Sequence, residues 1–143
     1  MPPDQLVGAW TLERFLTTYD SGREIFPMGE DAQGWLLYTP DGYMAAFLSR
    51  ANRPAFETGE MLSADDAEKV RAWDSFFSYC GRYEVRGGEV VHHIEGSLYP
   101  NWIGQAQART IRLEGNRLTL TTPPQKTGRG VQTSEVVWRR AVR

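Results

Sequence analysis

The sequence predicts an all-β protein, one antiparallel barrel of about eight strands with a single amphipathic α-helix set among them. Three observations lead there. Turn signals recur at short intervals, and most segments between them read as strands. Three of the turns, Pro40-Asp41-Gly42, Gly87-Gly88 and Gly115-Asn116, join flanking runs whose residues can be sorted into faces, as hairpins require. One segment, Ser63 to Gly81, departs from this pattern towards helical spacing.

Taken in order, the first strand covers about Leu6 to Tyr19 and turns at Asp20-Ser21-Gly22. A loop with Pro27 and Gly29 leads to GWLLYTPDGYMAAFLS, in which Pro40-Asp41-Gly42 is read as a type I turn with Gly in the left-handed position. That register sets Thr39 opposite Tyr43, Leu37 opposite Ala45 and Trp35 opposite Phe47, with Leu36, Tyr38, Met44 and Leu48 on the other face. Both faces are apolar, so the hairpin is expected to be covered on both sides.

In the helical segment Ser63 is the expected N-cap, with Asp66 three residues on completing a capping box and Gly81 closing the C-terminus. Val70, Trp73, Phe77 and Cys80 fall on one helical face, which is expected to pack on the hairpin or over a barrel end. Cys80 there reads as a small core residue. The hairpins GRYEVRGGEVVHHIEGSL and QAQARTIRLEGNRLTLTT follow, and a loop with Pro123-Pro124 leads to the last strand, QTSEVVWRRA.

Register assigns faces, because successive strand residues point to opposite sides. The Gly115-Asn116 turn puts Gln107, Arg109, Ile111, Leu113, Leu118, Leu120 and Thr122 on one face, and Ala108, Thr110, Arg112, Glu114, Arg117, Thr119 and Thr121 on a solvent face. Arg109 therefore shares the apolar face. Either it snorkels at a rim or pairs with a structural carboxylate, or it points into a cavity and meets an anionic or carbonyl group of a ligand. The Gly87-Gly88 turn puts Tyr83, Val85, Val90, His92, Ile94, Gly96 and Leu98 inside. His92 then looks inward, where the Tyr83 hydroxyl can satisfy it, and His93 looks out towards Arg82 and Glu95. A bulge before His92 would exchange the faces and bring His93, Glu95 and Ser97 inside.

Composition narrows the function classes. The chain has 143 residues, is read as a single domain over 1–143, and carries a formal charge of −2. It shows no basic stripe that could track phosphates, so no nucleic-acid partner is expected. No stretch approaches the roughly 20 apolar residues of a membrane helix, and the N-terminus lacks a secretory pattern, so a cytoplasmic protein without a membrane partner is expected. Cys80 is the sole cysteine, and adjacent strand histidines face apart, so no metal site is expected. No cofactor is expected either, because phosphate-loop and dinucleotide motifs are missing, as is a nucleophile elbow. Any chemistry would fall to acid–base work by His92 or His93, with Arg109 stabilising an oxyanion.

Beyond these patterns, LVGAW carries the Gly-x-Trp signature of lipocalins in Gly8 and Trp10, and Arg139 or Arg140 could cover that Trp from the last strand. With GWLLYTPDGYMAA, GRYEV, VVHHIEGSLYPNWIG and RLTLTTPP, the chain resembles the bacterial and fungal lipocalin-like domain family from about Leu6 to Arg140. The resemblance implies a small barrel with an internal pocket, and related barrels in natural-product pathways act as cyclases or isomerases.

The expected partner is a mostly apolar small molecule bearing an oxygen function. Trp10, Leu12, Tyr38, Phe47, Ile111 and Trp138 would form its wall, and Tyr83, His92, Gln107 and Arg109 would orient it. The Tyr99-Pro100-Asn101-Trp102 corner is expected to shape the mouth, with Trp102 in reach of the ligand. Two alternatives stand beside this: a cofactor-independent cyclase, isomerase or dehydratase in the same cavity, and a non-catalytic interaction protein with a packed barrel. A barrel edge also leaves room for a homodimer.

Overall fold

The first strand, β1 (Gly8–Tyr19), is paired along both edges, and that closes the sheet. The computed structural model describes residues 2–142. Its further strands are β2 (Glu24–Ile25), β3 (Gln33–Tyr38), β4 (Tyr43–Ser49), β5 (Phe76–Arg86), β6 (Glu89–Ser97), β7 (Ala106–Glu114), β8 (Arg117–Thr121), β9 (Gln125–Thr127) and β10 (Gly130–Arg140). Eight run antiparallel round the barrel as β1-β3-β4-β5-β6-β7-β8-β10, and β10 returns to β1 from Trp10↔Arg140 to Tyr19↔Gln132. β2 and β9 are short additions to β1 and β10. This is the barrel expected from the turn spacing.

One end of the barrel is shut by its first and last strands. Trp10 is fully buried and its Nε1 donates to the Leu6 carbonyl at 2.9 Å. Arg140, not Arg139, covers the indole at 4.2 Å and donates to the carbonyls of Gln5 (2.8 Å) and Val7 (3.1 Å). Such a cation over a desolvated ring contributes about 1–2 kcal/mol. Gly8 takes φ +127°, a conformation side chains rarely adopt, and a Cβ there would lie 3.4 Å from the Arg140 Nη1. Arg139 points outward instead and joins Arg117 in clamping Glu13, the residue skipped at the β1 irregularity between Leu12 and Arg14.

The three hairpin registers are those read from the turns. Trp35 pairs with Phe47, Tyr83 with His92, and Ile111 with Leu120. Leu36, Tyr38, Met44 and Leu48 are buried inside the barrel. Their counterparts outside are not covered as expected: Trp35 and Leu37 remain 44% and 43% exposed, and only Phe47 gains a partner, stacked on Phe76 at 5.3 Å. On the outer face of β8, Thr119 is buried rather than solvated, flanked in register by Arg112 and Val137.

The helix is shorter than expected. α1 spans Asp66–Asp74, and its N-cap is Asp65, whose carboxylate accepts from the Glu68 N–H at 2.8 Å. Ser63 donates to Glu60 instead. The helix stops because Ser75 Oγ turns back to the Arg71 carbonyl at 2.8 Å, and the next residues find partners across β4 from Ser49↔Phe76 to Tyr43↔Arg82. A full ladder outweighs helical spacing over a few positions. Phe77 and Cys80 therefore belong to β5, where Cys80 is exposed on the outside. Val70 and Trp73 are exposed too, and the helix buries Glu68, which accepts from the Glu57 N–H at 2.9 Å. Among the described residues no helix is long and apolar enough to cross a membrane.

β6 does carry a bulge, but beyond His92 rather than before it: Gly81 faces Ile94 while Cys80 faces Gly96, leaving Glu95 as the extra residue. The faces of His92 and His93 are thus as read from the turn, whereas Gly96 is shifted to the outside beside Cys80. The crossing is tight, and a Cβ on Gly81 would overlap the carbonyl oxygen of His93. Gly81→Ala should therefore lower stability by about 2–3 kcal/mol in urea denaturation. A loss within about 0.5 kcal/mol would mean that the bulge has room to give.

Candidate ligand-binding site

Inside the barrel, away from the end shut by Trp10, lies a cavity of about 740 Å³, within the usual range for a small-molecule site. The alternation of β7 aims Gln107 and Arg109 into it, while Ile111 and Leu113 continue towards the packed core. Thr122, Ser134 and Gln132 extend this polar wall over the neighbouring strands. The facing wall is apolar, built from Phe15, Leu36, Leu48, Phe77 and Trp102. Trp102 meets Phe77 edge-on at 5.1 Å and Tyr79 at 5.5 Å, so aromatic edges and faces are fixed against one another.

Arg109 is the cation of this cavity. Its Nη1 donates to the adjacent Ala108 carbonyl at 2.9 Å, and the guanidinium lies 6.0 Å from the Trp102 ring centre. It takes part in none of the ion pairs found among the described residues. A guanidinium has five donors, and the structure engages one of them in a hydrogen bond. Burial holds its pKa below the usual arginine value, opposed by the nearby Tyr79 and Tyr38.

Beneath Arg109 runs a buried polar chain. Tyr38 Oη lies 2.6 Å from His92 Nε2, and Tyr79 Oη lies 3.1 Å from His92 Nδ1. Burial, with a smaller push from Arg109 and then His93, lowers the His92 pKa to about 3. The imidazole is therefore neutral at pH 7, with one N–H to donate and one bare nitrogen to accept. The two hydrogen bonds consequently run in one direction along the chain: one tyrosine donates to the ring and the other accepts from it. Burial raises the pKa values of both tyrosines, so all three groups are uncharged.

The expected site residues fall into three groups. Gln107, Arg109, Trp102 and Trp138 line the cavity. Tyr38, Tyr83 and His92 are buried in the layer below, and the expected Tyr83–His92 hydrogen bond is replaced by those of Tyr38 and Tyr79, because the Tyr83 hydroxyl donates to the Thr39 carbonyl at 2.8 Å. Phe47 and His93 are outside. Phe47 lies in an external apolar groove of about 530 Å³ with Trp35, Leu37, Phe76 and Cys80. His93 Nε2 is 2.8 Å from Glu84, while Arg82 pairs with Glu95 at 3.2 Å, so His93 is held by Glu84 rather than by those two.

Of the residues expected as apolar wall, Trp10 belongs to the closed end. Leu12 and Ile111 pack against the core.

Phe77 and Tyr79 are the site residues that the helical reading conceals, and they enter the site through their pairing with β4. The Tyr99-Pro100-Asn101-Trp102 corner is a 3₁₀ turn over Pro100–Trp102, and Tyr99 and Trp102 border the cavity. Asn101 Nδ2 donates to the Tyr99 hydroxyl at 3.0 Å. Met28, Trp73, Asp74 and Pro123 complete the mouth. Among the described residues no cluster of His, Cys, Asp and Glu could hold a metal.

Comparison with known proteins bears on this geometry. The profile of a family described as a lipocalin-like domain matches residues 7–141. The 4'-hydroxy-3'-methoxypropiophenone carrier protein ppsC of Aspergillus oryzae is 34% identical over 109 residues, covering 70% of this chain and 98% of that protein. Among solved structures, a lipocalin-like protein from Bacteroides uniformis is 13% identical with a TM-score of 0.49, covering 95% of this chain and 98% of that one. A protein from Bacteroides eggerthii is 12% identical with a TM-score of 0.47, covering 95% and 99%.

The neutral His92 has a consequence for stability. Its folded pKa lies below the unfolded value, so its stabilising contribution is full above about pH 6.5 and is lost as pH falls towards about 3. Between pH 7 and 4.5 the wild type should lose roughly 2–3 kcal/mol more than His92→Gln, which cannot titrate, when both are unfolded in urea. Parallel acid losses in the two proteins would show that His92 is not held neutral.

Proposed function

The chain belongs to the lipocalin-like domain family, and from that premise we propose that it is a carrier, holding a mostly apolar, oxygen-bearing aromatic molecule in the barrel without changing it. One observation carries the reading: Arg109 stands in an aromatic-walled cavity with no carboxylate paired to it among the described residues. An apolar ligand entering there displaces solvent from the guanidinium, and a ligand without an acceptor would leave it unanswered, at a cost of several kcal/mol. A flat ring with oxygen on one edge matches both walls, its faces on Phe77 and Trp102 and its oxygens on Arg109 and Gln107. The relative from Aspergillus oryzae, a carrier of 4'-hydroxy-3'-methoxypropiophenone by its name, supports the same class of ligand; a role in secondary metabolism is part of the same proposal.

The acid–base alternative asks more of the site. His92 has both ring nitrogens engaged by tyrosines, and His93 is on the outer surface against Glu84. Proton transfer to a cavity ligand would have to pass through the Tyr79 hydroxyl, whose pKa burial has raised. The packed-barrel alternative is disfavoured by the cavity itself.

Titration with 4'-hydroxy-3'-methoxypropiophenone, followed by quenching of tryptophan fluorescence, tests the proposal. Binding on the order of 10 µM is expected, weakened at least about tenfold, or 1.4 kcal/mol, by Arg109→Met. Mass spectrometry of the recovered ligand should find it unchanged. A product absent from a heat-killed control would make the protein an enzyme, and no quenching at millimolar ligand would favour the interaction-protein reading.

A further inference from the structure

We propose that the barrel takes its ligand as a phenolate, with the ionised aryl oxygen seated on the Arg109 guanidinium, so that a neutral phenol entering the cavity releases its proton to the solvent. This rests on the carrier reading and adds to it the charge state of the cargo. Among the described residues, the elements round the cavity bring Arg109 no ion-paired carboxylate. β3 brings Tyr38, β5 brings Tyr79 and β6 brings His92, all uncharged at neutral pH. β7 itself adds Gln107, β8 and its following loop add Leu120 and Thr122, and β10 adds Gln132, Ser134 and Trp138. Trp102 presents a ring. Asp74, from α1, is at the mouth and makes no ion pair with Arg109.

A cation favours the ionised form of an acid in direct contact with it, and low polarity strengthens that attraction while penalising the charge itself. The preference therefore belongs to an oxygen seated on the guanidinium, and not to Tyr38 and Tyr79, whose hydroxyls bond His92 and whose pKa values burial raises. The displaced proton has no acceptor at Arg109, since both His92 nitrogens are already hydrogen-bonded, and it leaves through the mouth to bulk water. A phenol suits the passage better than a permanently charged carboxylate. It can cross the apolar mouth beside Asp74 while neutral and ionise only on reaching Arg109. Its negative charge spreads from the oxygen into the ring, whereas a carboxylate shares its charge between two oxygens alone, and the wider spread lowers the penalty of leaving water.

The test uses 4-nitrophenol, whose neutral and ionised forms absorb at different wavelengths and which ionises near neutral pH, with 4-nitroanisole as an analogue that cannot ionise. On the wild-type protein the ionisation midpoint of bound 4-nitrophenol should fall about one to two pH units below that of the free probe, a 10- to 100-fold preference for phenolate. Arg109→Lys should keep the midpoint depressed, and Arg109→Met should return it to the free value or above. A wild-type midpoint at or above the free value, or one unmoved by Arg109→Met in a protein that circular dichroism shows to be folded, overturns the proposal. Binding of 4-nitroanisole as tightly as 4-nitrophenol above the free probe's midpoint would overturn it too, while leaving the carrier reading intact. Failure of both probes to bind would remove the carrier reading and this proposal together.

Discussion

A guanidinium inside a closed β-barrel has to be answered. The period-two alternation of β7 commits Arg109 to the interior once Ile111 and Leu113 are committed to the core, because the three share a face. Among the described residues no carboxylate pairs with it. The chain supplies instead a set of neutral polar groups, the Tyr38–His92–Tyr79 chain, that can support a positive charge without cancelling it. The guanidinium thereby keeps donors that the proposed ligand would accept.

The rest of the barrel divides the labour between its two ends. At the closed end, Arg140 over Trp10 ties the last strand to the first and stops the core from opening. At the other, the connections are longer and carry the mouth: α1 from the β4–β5 link, the 3₁₀ corner between β6 and β7, and the proline-bearing loop after β8. The two irregularities of the barrel strands, at Glu13 and Glu95, place the extra carboxylate outside, where arginines meet it. These two carboxylates are thus held on the outside, away from Arg109.

Much of this is legible in the sequence because tight turns dictate register. Gly87-Gly88 and Gly115-Asn116 put His92 and Arg109 inside without reference to any long-range contact, and the structure agrees. The stretch from Phe76 to Cys80 was not legible in the same way. Its apolar residues suit helical spacing on from Val70, and only the β4 edge, distant in sequence, decides that it forms a strand. The loss of Phe77 and Tyr79 from the expected site, and the assignment of His92 to Tyr83, follow from that single competition between local spacing and a non-local ladder. Phe47 lies outside for a different reason. Both faces of its hairpin are apolar, so composition could not say which side enclosed the cavity, and Trp35, Leu37 and Phe47 form an outer groove instead. Which molecule the proposed carrier would hold depends on shape and on a few donors, and neither can be read from strand patterns.

The central claim, that Arg109 is answered by the cargo, is tested most directly by a crystal structure of the protein with 4'-hydroxy-3'-methoxypropiophenone. The account predicts the unchanged ligand inside the barrel, its ring against Phe77 and Trp102 and an oxygen within hydrogen-bonding distance of the Arg109 guanidinium. A ligand lodged in the outer groove beside Trp35 and Phe47, or held inside with its oxygens turned away from Arg109, would contradict it.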